Sequence, residues 1–127
     1  MKKFILGALL MLPAAGIMAA ECDKAETQME MNACAADAYS VADKALNSSY
    51  RQVLKRMSGD QKTLLQTAQR RWIAYRDADC DFMTSSTRGG SIHPMLISQC
   101  LQNKTEQRTK ELQSLLNCEE GDLSCPR

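Results

Sequence analysis

Six cysteines carry the most explicit chemistry in the chain: Cys22, Cys34, Cys80, Cys100, Cys118 and Cys125. The count is even, no two stand in CxxC spacing, and the chain holds a single histidine. That pattern argues for three disulfides rather than a zinc site or a dithiol redox centre. The histidine, His93, stands beside Pro94 and follows Gly89-Gly90-Ser91. A general base could be placed so, but a lone loop histidine is more often simply solvated. With every cysteine paired and no GxSxG pattern around any serine, a nucleophile is missing as well. No catalytic residue, metal or cofactor is expected. Gly89-Gly90 ahead of a helix could cradle an anion on backbone N–H groups; its plainer reading is a hinge. Asp79 and Arg108 fall on the apolar seams of their segments, which predicts a partly buried pair, Asp79 with Arg108 or with Arg76, that fixes register. Hydrolysis by paired carboxylates would need a second acid beside Asp79, and Asp77 and Asp81 project from other faces.

These residues must be positioned by helices. In the stretch 65–83, Leu65, Ala68, Trp72, Tyr75 and Phe82 recur at heptad spacing with Asp79 in the gap, and Ile73, Cys80 and Met83 widen the stripe. This predicts a central amphipathic helix with Trp72 and Tyr75 in the core, from about Gln61 to Ser85. Upstream, Thr27-Gln28-Met29-Glu30 is a capping-box pattern. Met31, Ala35, Ala38, Ala42, Leu46, Val53 and Met57 then follow one helical face. Gly59 closes that helix as a left-handed cap, Asp60 caps the next, and Ser48-Ser49 marks a place for a bend. Ser85–Ser91 is the clearest loop. A third helix opens near Ile92 or Pro94 and carries Ile97, Leu101, Thr105, Arg108, Leu112 and Leu115. The expected fold is all-α: an antiparallel bundle of three long helices braced by disulfides.

Residues 1–20 read as a secretory signal peptide, with Lys2 and Lys3 ahead of an apolar run, Phe4 to Leu12, and small residues at Ala19 and Ala20. The apolar run is short for a membrane span, and Glu21 before Cys22 does not suit a lipobox. The expected organisation is therefore a signal peptide at 1–20, a helical domain at 21–117 and a short tail at 118–127. Losing Lys2 and Lys3 takes the 16 basic residues to 14 against 15 acidic ones, so the net charge moves from +1 to about −1. That balance offers no field for nucleic acid.

Helix order constrains the cysteines. Cys80 lies a few residues before the second interhelical loop and Cys100 a few residues beyond it, so an antiparallel pair brings them level. Cys22 can fold back onto Cys34. Cys118 lies at the far end of the bundle and is left with Cys125.

The ordered set of residues resembles the LprI-type lysozyme inhibitor domain. The first half of the resemblance runs from Cys22 through Thr27-Gln-Met-Glu-Met-Asn-Ala-Cys34 to Tyr39, Ala42-Asp43, Leu46-Asn47 and Tyr50. The second half comprises Ala68-Gln-Arg-Arg-Trp72, Tyr75-Arg76-Asp77, Cys80, Gly89-Gly90-Ser91, Cys100, Thr105, Arg108 and Leu112. It spans about Cys22 to Leu115 and leaves the Cys118–Cys125 tail outside. The resemblance implies an all-helical periplasmic or secreted domain that inhibits lysozyme by protein–protein contact; because Glu21 does not suit a lipobox, no membrane anchor is expected once the signal is cleaved. An immunity or adaptor protein for another cell-wall enzyme, such as an amidase-type toxin, is the alternative. Lysozyme works with two carboxylates in a sugar-binding cleft, and a projecting donor-rich loop would suit such a target. On that reading the contacts are Arg88, Gly89, Gly90, Ser91 and His93. The near-neutral charge gives little long-range steering toward a strongly basic lysozyme.

Overall fold

The computed structural model describes residues 22–126; the signal-peptide expectation for 1–20 lies outside them. Three long helices dominate: α1 (Gln28–Arg56), α2 (Gly59–Met83) and α3 (His93–Ser114). Short 3₁₀ turns follow α2 at Ser85–Thr87 and α3 at Leu115–Asn117. Among the described residues no helix is long and apolar enough to cross a membrane.

Local chemistry sets the ends. Thr27 caps α1, its hydroxyl accepting from the Glu30 N–H at 3.1 Å, while the Glu30 carboxylate reaches back to the Glu26 N–H at 2.9 Å. Two free donors are thereby satisfied at one end. Lys55 and Arg56 occupy the last turn, where positive charge opposes the helix dipole. Gly59 is left-handed, at φ +56, as the sequence predicts. It does not close α1, however: Met57 does, and Gly59 opens α2, so the reversal takes only two residues. Helix α1 continues through Ser48-Ser49, where Ser49 is buried and accepts from the Gln113 amide at 3.4 Å.

The first and third helices run parallel and form the most extensively packed pair. At one end Gln28 meets Met95 and Asn32 meets Ser91; at the other, Ser49 meets Gln113 and Arg56 meets Leu116. Helix α2 runs back between these ends, packing on α3 more than on α1. The core gathers Leu46, Val53, Met57 and Leu112, with Tyr50, Leu65, Trp72, Leu115 and Leu116 against it. Apolar burial of this kind, not helix propensity, stabilises such helices.

The expected buried face of α2 needs correction. Gln69 and Arg76 face inward beside Cys80, which the sequence also places there; Trp72 is half-buried, and Ala68, Tyr75, Phe82 and Met83 are exposed. The helix is turned by roughly a third of a turn from the heptad seam, since the inward residues follow the seam positions by one and each residue turns the helix by about 100°. Two anchors hold it there. Cys80 is bonded to Cys100 on α3, and the Arg76 guanidinium is enclosed by aromatic rings from α1 and α2.

Candidate functional site

The segment between α2 and α3 is not an open hinge. Thr84 is buried, and both its N–H (3.1 Å) and its hydroxyl (2.7 Å) donate to the Cys80 carbonyl. The Ser85 hydroxyl donates to the Phe82 carbonyl at 2.7 Å and the Thr87 hydroxyl to that of Thr84 at 2.9 Å. Backbone N–H groups of Arg88, Gly90 and His93 then bond to the carbonyls of Ser85, Thr87 and Gly90. The Thr87 hydroxyl and the His93 Nδ1 stand 3.0 Å apart, closing the segment across six residues. Gly89 sits at φ +81, where a side chain would be strained. A Cβ on Gly90 would come within 3.1 Å of the Thr87 carbonyl.

Two further ties fix this loop to the bundle. The Cys80–Cys100 disulfide joins its flanks with Cα atoms 5.7 Å apart. The Asn32 amide of α1 donates to the Ser91 carbonyl at 2.9 Å. Near that end Cys22–Cys34 secures the N-terminal arm, and Cys118–Cys125 closes the tail at the opposite end. All three pairs are those that helix order implies.

Of the residues singled out for contact, Arg88, Gly89, Gly90 and Ser91 are exposed on this loop. His93 is half-buried, engaged with Thr87, and begins α3. The loop therefore presents Arg88 and the Ser91 hydroxyl on a backbone that its own hydrogen bonds hold. Asn32, Thr84 and Thr87, which do the holding, are not singled out by the sequence. Their signal is only that hydroxyl and amide residues cluster where helices end.

A second cluster lies along α2. Arg76 is buried, its guanidinium 5.4 Å from the Trp72 ring centroid and 5.5 Å from that of Tyr39. It donates to Asp77 at 2.9 Å and to the Thr105 hydroxyl at 3.3 Å, and lies 3.7 Å from Asp43. Burial pushes the Tyr39 hydroxyl above its usual pKa, with Arg76 opposing and Asp43 and Asp77 adding to the rise. Arg108 stands over Trp72 at 5.9 Å and bonds to Gln69 and Glu111. Every buried side-chain N or O among the described residues has a partner.

The pairing expected for Asp79 is corrected here: neither Arg108 nor Arg76 takes it, and Lys104 does, at 2.7 Å. Position along the antiparallel helices explains this. Cys80–Cys100 and Arg76–Thr105 put facing residues at numbers that sum to about 180. Arg108 thus lies about 10 Å too far along for Asp79, at 1.5 Å per residue; it is level with Trp72 and reaches Gln69 instead. The Lys104 ammonium also lies 5.3 Å from the Tyr75 ring centroid. The Asp79 hydrogen bond raises the Lys104 pKa above its ordinary value, against desolvation.

No group of three His, Cys, Asp or Glu side chains that could hold a metal ion occurs among the described residues. What the fold and the loop define is a disulfide-braced, all-α domain that displays a stiff polar loop at one end. The chain belongs to the LprI family: the family model described as lysozyme inhibitor LprI matches residues 19–112. That family is named for inhibition and not for a catalysed reaction. An uncharacterized protein of Rhizobium meliloti (strain 1021) is 41% identical over 114 residues, covering 80% of this chain and 82% of its own length. No solved structure matches the chain.

Proposed function

We propose that this protein inhibits lysozyme by protein–protein contact through the 85–93 loop, acting in the periplasm or outside the cell after removal of residues 1–20. Beyond the family membership, one observation supports the reading: the exposed Arg88 is carried on a loop whose shape is held by hydrogen bonds and by Cys80–Cys100. Arginine presents a planar fork of donors that matches a carboxylate, which is the chemistry a glycosidase cleft displays. The bracing lowers the ordering cost of binding, so more of the contact energy becomes affinity. The tail at 118–126, beyond the matched residues, lies at the far end of the bundle and takes no part in this contact.

The test replaces Arg88 and Ser91 with Ala together and titrates lysozyme with the variant. Loss of inhibition with unaltered helicity supports the loop as the contact. Full inhibition by the variant removes the loop from the account.

A further inference from the structure

We propose that α2 is also a self-association surface, on which two copies of this chain pack α2 against α2 in antiparallel fashion, Phe82 of each copy entering an apolar cavity beside Leu64 of the other. The inference goes beyond inhibition and uses the outer stripe of α2 rather than the 85–93 loop that follows it.

The heptad seam of α2 leaves an apolar stripe unburied. Leu64 is 67% exposed, Tyr75 59% and Phe82 72%, and Ala68 and Ala78 are exposed with them. Steps of four, seven and seven place Leu64, Ala68, Tyr75 and Phe82 within about 40° of one another on the helix, over about 27 Å. Large apolar residues aligned in this way mark interaction sites more often than scattered ones do.

The stripe has a projection at one end and a recess at the other. Near its N-terminal end opens a cavity of about 240 Å³ lined by Val53, Leu64, Leu65, Ala68, Leu115 and Pro126, among others. A cavity of about 150 Å³ already accepts a benzene ring, so this one has room for a phenylalanine side chain. Phe82 lies 18 residues along the same helix. A projection and a recess on one face form a closed pair only when the second copy is turned by a two-fold axis. With facing residue numbers summing to 146, Leu64 meets Phe82 of the second copy, Ala68 meets Ala78, and Arg71 meets Tyr75. The two alanines allow the backbones to approach. Arg71 over Tyr75 is a favourable cation–π placement. A parallel arrangement would set Phe82 against Phe82 and leave both cavities unfilled. One helix face is smaller than the roughly 800 Å² per partner of a standard stable interface, so the pairing is concentration-dependent.

The experiment is sedimentation equilibrium of the oxidised mature protein from micromolar to millimolar concentration, with Phe82→Asp, Leu64→Lys and the double variant. Both positions are exposed, and far-ultraviolet circular dichroism checks that each variant folds. The proposal expects wild type to approach twice the single-chain mass and each single variant to remain a monomer. It expects the double variant to regain the dimer, because the introduced ammonium of one copy then faces the introduced carboxylate of the other. Wild type that stays monomeric throughout overturns it. So does a dimer indifferent to Phe82→Asp, or a double variant that stays monomeric. Loss of lysozyme inhibition by Phe82→Asp with no change in mass would also overturn it, by giving the stripe to the enzyme.

Discussion

The guanidinium carbon of Arg76 lies 5.4 Å from the centroid of the Trp72 ring, four residues earlier on the same helix. Tyr39 of α1 closes the other side at 5.5 Å, and Thr105 of α3 accepts a hydrogen bond from Nη1. One side chain thus touches all three helices. Helix α2 packs on α1 with few close backbone approaches, and this contact joins them beside the packing of Leu65 and Trp72 on the core.

Arg76→Leu is expected to lower unfolding free energy by about 2–4 kcal/mol, since it removes a buried cation's stacking on two rings, its bond to Thr105 and its pairing with the part-exposed Asp43 and Asp77. Arg76→Lys should recover less than half of that loss, because an ammonium cannot reproduce the planar stack. Urea unfolding of the oxidised variants reads both. Equal stability of the Lys variant and wild type would mean that charge alone suffices.

The disulfides should differ in weight. Their sequence separations of 20, 12 and 7 residues correspond to chain-entropy contributions of about 3.3, 2.8 and 2.4 kcal/mol for Cys80–Cys100, Cys22–Cys34 and Cys118–Cys125. Paired Cys→Ala variants measured by denaturant unfolding should follow that order. Only the Cys80/Cys100 variant should also weaken lysozyme inhibition, because only that bond flanks the loop. Equal weakening by the Cys118/Cys125 variant would separate inhibition from loop bracing.

Gly89→Ala should cost about 1 kcal/mol, as a left-handed residue acquires a Cβ. Faster amide hydrogen exchange should then be confined to 84–93. Exchange that rises across α1 instead would show that the loop is coupled to the whole fold.

Stability should fall in alkaline solution. The folded-state pKa values of Lys104 and Tyr39 are both raised. Raised values mean that the folded state holds its protons more firmly than the unfolded chain. Their influence is therefore complete at neutral pH and is lost as pH climbs above about 10. Thermal unfolding between about pH 7 and 11, with Asp79→Asn beside wild type, tests this. The variant should show a shallower alkaline decline, and an identical one would remove the Lys104–Asp79 pair from the explanation.

Much of the architecture is legible in residue types. Thr27 and Glu30 announce the start of α1, Gly59 marks the reversal, and the levels of Cys80 and Cys100 follow from antiparallel order. The facing of α2 is not legible, since Tyr75 and Phe82 are as apolar and as regularly spaced as a buried seam would be. Gln69 looks like a surface residue, and Arg76 is expected as an alternative partner for Asp79, until Tyr39, Trp72 and Arg108 are known to enclose them. Polar burial depends on partners distant in sequence, and periodicity carries no record of them. The loop is legible in composition alone. Its stiffness comes from Thr84, Thr87 and Asn32, whose partners are mostly backbone carbonyls.

The most direct measurement is lysozyme activity titrated with the oxidised mature protein, beside the Arg88→Ala/Ser91→Ala variant and the reduced protein. The account predicts inhibition by near-stoichiometric wild type, and its loss both in the variant and on reduction. Absence of inhibition for every lysozyme type tried, or full inhibition by the doubly substituted protein, would contradict it.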